Sequence, residues 1–121
     1  MKKKRIDVPM YDFRVDLLEV ENSNDIELLA KFFKSIHLED DIAVEILDAV
    51  KNGDVDGGWT ISNFGLKRIL VVLLKMRTEK QRRKVMSHEK RHVEDDILEH
   101  ASVKDKEAAA YLAGYLGEFM Y

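Results

Sequence analysis

The chain has 121 residues and a mass of 14.1 kDa, which suffices for one domain with a single core and is too little for two. Hydrophobic residues make up 45% and charged residues 36%, so a disordered chain is excluded. The net charge of -3 gives no global attraction to nucleic acid, and the lack of cysteine excludes disulfides and thiolate metal ligands. We therefore predict one domain over residues 1–121.

We do not expect the first residues to form a secretory leader. The basic start M1-K-K-K-R5 is followed by polar residues and a proline where an apolar segment would be needed: Asp7, Pro9, Asp12 and Arg14. The longest apolar run, residues 69–74, is too short to cross a bilayer. We expect a cytoplasmic protein without a membrane segment, in which residues 2–5 form a solubilising tail, with a nucleic-acid arm as the alternative.

The first half of the chain changes from strand to helix periodicity. Apolar and polar residues alternate from Val8 to Val20, which predicts a half-buried strand. Helical spacing follows in two segments, 24–36 and 40–50, the first with Asn24 as its cap and Glu27 reaching back. The Asn52-Gly53 pair ends the second helix.

The second half begins with two strands and continues with two helices. Alternation from Trp59 to Ser62 predicts a short strand, and the apolar run within residues 67–76 predicts a central one. Thr78 and Gln81 form a capping box for a third helix to about His100, and a fourth fits residues 107–119. The fold class is therefore α+β, with a small mixed three-stranded sheet packed with about four helices.

The third helix carries the motif H88-E-K-R-H92. At about 100° per residue, His88, Glu89 and His92 fall in the same half of the helix as Val85 and Val93, so we expect them on its inward side. Residues four apart have Cβ atoms about 6 Å apart, from which two imidazole nitrogens can reach one zinc ion. Glu89 lies where it could take a proton from water. Asp96 is either a partner that orients the His92 ring or a solvated neighbour.

The third ligand has to come from another segment. Glu107 opens the last helix, 15 residues beyond His92, and shares a helical face with Ala110, Tyr111 and Gly114. Small side chains on that face would let the fourth helix approach the third, so that Glu107 could reach the ion. His100 is about 12 Å along the helix from His92, too far to share that ion, and we interpret it as a partner of the helix dipole.

The H88-E-K-R-H92 motif and the helix E107-A-A-A-Y111 resemble the glutamate-type zinc metallopeptidases, the gluzincins, and among them the small intracellular ImmA/IrrE-like group. The resemblance covers about the last 45 residues, and a buried strand before the motif helix matches the zincin pattern. It implies a minimal zincin-like fold, with zinc bound by His88, His92 and Glu107 and with Glu89 as the general base in peptide-bond hydrolysis. Tyr111 or Tyr115 would be an oxyanion donor.

Less specific interpretations stand beside these. The two histidines can be ordinary residues bonded to Asp96 and Glu89, Glu107 can be a first-turn acid that stabilises its helix, and the two tyrosines can be core aromatics. The protein would then be a catalytically inactive interaction or scaffold module, with or without metal. A nucleic-acid partner using residues 2–5 and 80–84 is a third interpretation, and the charge balance makes it the weakest.

Overall fold

A computed structural model describes residues 1–38 and 40–121 and contains a four-stranded mixed sheet with helices on both faces. The strands are β1 (Lys2–Val8), β2 (Phe13–Glu19), β3 (Gly58–Asn63) and β4 (Arg68–Leu73), in the spatial order β1-β2-β4-β3. The central pair β2 and β4 is parallel, and both edge strands are antiparallel to their neighbours. The helices are α1 (Ile26–Ser35), α2 (Asp41–Lys51), α3 (Glu79–His100) and α4 (Lys106–Met120).

The α+β class is confirmed, but the three-stranded sheet was wrong because β1, which precedes the first predicted strand, was missed. A short 3-10 turn, Pro9–Tyr11, and a left-handed Asp12 reverse the chain, so residues 2–8 pair along β2. The predicted solubilising tail is therefore an edge strand. Its cations Lys2, Lys3, Lys4 and Arg5 are all exposed, while Ile6 and Val8 are buried. A lysine-rich edge strand discourages pairing with another chain.

The sheet separates two apolar layers. Phe13, Val15 and Leu17 of β2 face α3 and α4, while Leu18 and Val20 face α1 and α2. The shared face of Phe13, Val15 and Leu17 is confirmed, since alternate side chains of a strand point to the same face. The prediction of a half-buried strand was wrong, because β2 is a central strand covered on both faces. β4 is buried from Ile69 to Leu73, as a central strand covered on both faces should be.

Helix ends follow local hydrogen bonding. The Thr78 side chain accepts from the Gln81 amide, so the predicted start of α3 is confirmed, as is its end at His100. The predicted Asn24 cap was wrong. Asn22 instead caps the 3-10 turn Ser23–Asp25, and α1 follows that turn. The Asn22 side chain accepts from the Asn24 amide, and the Asp25 side chain accepts from the Asn22 amide. Among the described residues, no helix combines the length and apolar character needed to cross a membrane.

Candidate metal site

The motif helix α3 is fixed between β3 and α4. Its inner strip is formed by Met86, Glu89, Val93 and Ile97, all buried. On one side, Gly58 of β3 lies so close to the helix that an added Cβ would be 2.8 Å from Val85 Cγ1. Larger apolar side chains of α4 cover the other side: Leu112, Leu116 and Met120. The orientation of α3 about its own axis is thus set by contacts on two sides.

His88 and His92 meet on the outside of this helix. Their Nε2 atoms are 3.1 Å apart, and the two ring planes are nearly perpendicular at 86°. Both residues are exposed, so the prediction of an inward-facing pair was wrong. The reason is angular: Val93 marks the buried strip, and His92, one residue earlier, is turned about 100° away from it. The pair lies on the side of α3 that borders β3, next to Glu89.

Glu89 itself points toward the sheet. Only 4% of its surface is exposed, and its Oε1 atom accepts a hydrogen bond of 3.0 Å from the Thr60 hydroxyl of β3. The helix therefore places the two imidazoles in solvent and the Glu89 carboxylate against β3. A buried carboxylate held by one donor is costly to leave without that donor, so Thr60 fixes its position.

Asp96 has the same relation to β3 as Glu89. Its Oδ2 atom accepts from the Ser62 hydroxyl at 2.5 Å, so neither a ring-orienting role toward His92 nor a purely solvated one describes it. Glu94, two residues earlier, is buried and bonded to Lys90 at 2.9 Å. Lys90 borders α4, where it lies 3.4 Å from the position of a Cβ added to Gly117. The bonds of Glu89 and Asp96 therefore define the side of α3 that faces β3.

Glu107 does not join the histidines. It is exposed in the first turn of α4, where its amide donates to the capping Asp105. Within residues 1–38 and 40–121, no three His, Asp or Glu side chains are arranged to hold a metal ion. The structure thus assembles two of the three predicted ligands.

The expected close approach of α4 through its small residues was also wrong. Glu107, Ala110, Tyr111 and Gly114 form the exposed face of α4, and Tyr111 is 66% exposed, because the leucines of the opposite face bury more apolar surface. Tyr115 donates from its hydroxyl to the Asp7 carbonyl at 2.6 Å and so ties α4 to β1. The described contacts give neither tyrosine a place beside the histidine pair.

Three residues of β3 were not identified as site residues from the sequence: Gly58, Thr60 and Ser62. The alternation of Trp59 and Ile61 with Thr60 and Ser62 predicted the strand, but it did not indicate which helix would meet the polar face. His100 lies in the last turn of α3, as expected for a dipole partner, and its ring stacks on Phe64 at 5.1 Å between centroids.

Related proteins could have indicated what the pair of His88 and His92 does beside the edge strand β3. Comparison of the chain with protein-family models, with curated proteins and with solved structures found no match.

Proposed function

We propose that the protein binds a zinc ion through His88 and His92 and uses it to hydrolyse peptide bonds. One observation carries the proposal: the two Nε2 atoms are 3.1 Å apart on an exposed strip of α3. This separation is shorter than the sum of two Zn–N bonds of about 2.0 to 2.1 Å each, so both nitrogens can reach one ion. Exposure leaves further coordination positions open to water and to substrate.

The chemistry that zinc supplies is Lewis acidity, which polarises a carbonyl group and acidifies water. We infer that Glu89 moves the proton. Thr60 holds one of its carboxylate oxygens, Oε1, and the second oxygen is the one that would accept a proton. Because the carboxylate is buried beside the exposed pair, its position is fixed in advance by the sheet.

Glu107 is proposed as the third protein ligand, and it needs a test of its own because it stands apart from the pair. A ligating carboxylate should contribute strongly to affinity, so Glu107→Gln would weaken zinc binding by about 10-fold or more. If affinity is unchanged, the site has two protein ligands only.

The first experiment measures zinc. Purified protein should contain about one zinc ion per chain, and both His88→Ala and His92→Ala should lose it. His100→Ala is the matched control, since it removes a histidine of the same helix that stacks on Phe64 instead. Two neutral imidazoles whose Nε2 atoms are 3.1 Å apart can also form an N–H···N hydrogen bond without a metal. Absence of zinc from the wild type after equilibration with the metal would therefore leave only that hydrogen bond and refute the proposal.

The second experiment measures hydrolysis. With zinc bound, Glu89→Gln should reduce the cleavage rate of a peptide library by about 100-fold or more while leaving zinc content unchanged. Equal rates in wild type and variant would remove the enzymatic part of the proposal.

A second candidate function is an interaction module that keeps the α3–α4 pair as a scaffold, with zinc in a stabilising role or with no metal. The separation of Glu107 from the histidines favours it. It predicts that zinc raises the melting temperature without any hydrolysis that depends on Glu89.

A further inference from the structure

A groove of about 970 Å³ lies on the opposite side of β3 from the histidine pair. Its walls are α2 and the segment that leads into β3, and Trp59 forms part of its surface. The two sides of β3 are distinct because the strand alternates. Trp59 and Ile61 face the layer of α1 and α2, while Thr60 and Ser62 bond to α3.

Four carboxylates line the groove: Asp41, Glu45, Asp48 and Asp54. No lysine, arginine or histidine lines it, and in the described parts of the chain none of the four is within ion-pair distance of a cation. Four unneutralised charges exceed the net charge of the whole chain, which is -3. The groove is therefore a strongly negative surface in a nearly balanced protein.

The surface between these acids is apolar. Val44 is 57% exposed and Val55 is 41% exposed, and both line the groove beside Trp59. The Trp59 indole donates to Glu45 Oε2 at 3.3 Å, which orients one of the acids. An apolar surface bordered by carboxylates suits a side chain with a long aliphatic stem and a cationic end, as in lysine and arginine.

The groove borders a strand edge that can accept another strand. β3 ends the sheet, and its residues, GWTISN, include no charged side chain and no proline. Charge and proline are the usual means by which an edge is blocked, and this edge has neither. A chain paired with it would direct every second side chain toward the groove face.

We propose that the free edge of β3 and this acidic groove together bind an extended peptide segment with lysine or arginine at alternate positions. Charge complementarity excludes nucleic acid as the occupant. A single divalent cation is also a poor match, since these carboxylates do not form a metal-holding group of three within the described residues. Docking of the peptide uses no metal and does not depend on the proposed peptidase function. The inference rests on that function only in treating the bound peptide as a substrate.

The probe is a fluorescein-labelled peptide of alternating lysine and threonine, compared with the same peptide carrying glutamate for lysine. Fluorescence anisotropy measures affinity, and in a parallel titration of the unlabelled peptide the fluorescence of Trp59, the one tryptophan, reports occupancy of the groove. The lysine peptide should bind and change Trp59 emission, and its affinity should fall several-fold between about 20 and about 200 mM salt. The glutamate peptide should not bind.

The decisive variant is Asp48→Asn/Asp54→Asn, which removes two groove charges and leaves the Glu45–Trp59 contact in place. It should weaken the lysine peptide about 10-fold or more. Glu99→Gln/Glu118→Gln is the matched control, because it makes the same change in net charge on exposed residues of α3 and α4 that do not line the groove. Equal weakening in both variants would mean attraction to the overall charge and would overturn the proposal.

Two further outcomes distinguish peptide docking from zinc binding and from self-association. Binding should persist in His88→Ala, so loss of zinc binding and loss of docking are independent results. If the lysine peptide does not bind and the protein instead self-associates in a way abolished by Lys3→Glu/Lys4→Glu, the occupant is β1 of a second copy and the peptide proposal is wrong.

Discussion

The two edges of the sheet differ in composition and in what surrounds them. β1 carries four exposed cations in succession, and the backbone of that edge is protected from pairing by their charge. β3 carries no charge, and it packs on α3 through Gly58, Thr60 and Ser62 and on the other layer through Trp59. An edge strand can be protected from pairing by exposed charges, or it can be left unprotected beside functional groups. Both kinds of edge occur in this sheet.

The largest expected effect concerns the close approach of β3 to α3. Gly58→Val should lower the free energy of unfolding by about 3 kcal/mol, because its Cβ alone would lie 2.8 Å from Val85 and 3.1 Å from Glu89 Cγ. Gly65→Ala is the control, since the nearest atom to an added Cβ there is 3.5 Å away. Chemical denaturation measures both. Similar losses in the two variants would mean that β3 and α3 are not in close contact.

The second largest effect is expected from loss of the hydrogen bond between Thr60 of β3 and Glu89 of α3. Thr60→Val should cost about 2 kcal/mol, because it leaves the buried Glu89 carboxylate without its donor. Glu89→Gln in the Thr60→Val background should recover part of the loss, since a neutral amide is less costly to bury. Thermal unfolding of the single and double variants tests this. If the double variant is less stable than Thr60→Val, the bond is not the cause.

The third prediction concerns the end of the β1 edge, where Asp25 accepts from the Met1 amino group at 3.1 Å and from the Glu21 amide at 2.8 Å. Burial by itself raises the pKa of the Asp25 carboxyl, but the bonds from the Glu21 amide, the Met1 amino group and the Asn22 amide hold it below its ordinary value. A folded pKa below the unfolded one adds stability that is complete above the unfolded pKa. That stability is lost as pH falls through the folded pKa.

Asp25→Asn should therefore cost about 1 kcal/mol at pH 7. The difference from wild type should shrink below about pH 4, where the unfolded carboxyl becomes protonated. Denaturation curves at several pH values measure it, and a difference independent of pH would contradict the charge-based explanation.

The smallest effect is expected on the exposed β1 edge itself. Lys4→Ala should change the free energy of unfolding by less than about 0.5 kcal/mol, because this side chain is exposed and the described residues give it no ion pair. Replacement of Lys2, Lys3 and Lys4 together by threonine should leave stability similar and increase self-association, measured by light scattering. Unchanged association would remove the interpretation of β1 as a charge-protected edge.

Much of the fold could be predicted because it depends on local signals. The bounds of α3 follow from the Thr78 cap and from helical spacing, and β4 follows from a short run of apolar residues. β1 was missed because a strand with four leading cations has no hydrophobic alternation until Ile6. Its pairing with β2 comes from the turn at Pro9–Tyr11, which looks in sequence like a continuation of one strand.

The candidate site divides in the same way. That His88 and His92 lie one helical turn apart is a property of their spacing, and the structure places their ring nitrogens together. Whether Glu107 would reach them depended on which face of α4 packs on α3. One face of α4 carries alanine and glycine, and the other carries leucines and Met120. The face with the larger leucines and Met120 packs on α3, and this leaves Glu107 in solvent.

By itself the sequence determined the elements other than β1, the neighbouring imidazoles and the lack of thiol chemistry, because these follow from residue type and from the spacing of residues within one element. Only the tertiary structure decided that the histidines face outward, that Glu89 is buried against Thr60, and that an acidic groove lies across β3 from the pair. Periodicity gives the angles between side chains on one helix. The rotation of that helix against the sheet is set by contacts between residues far apart in the chain.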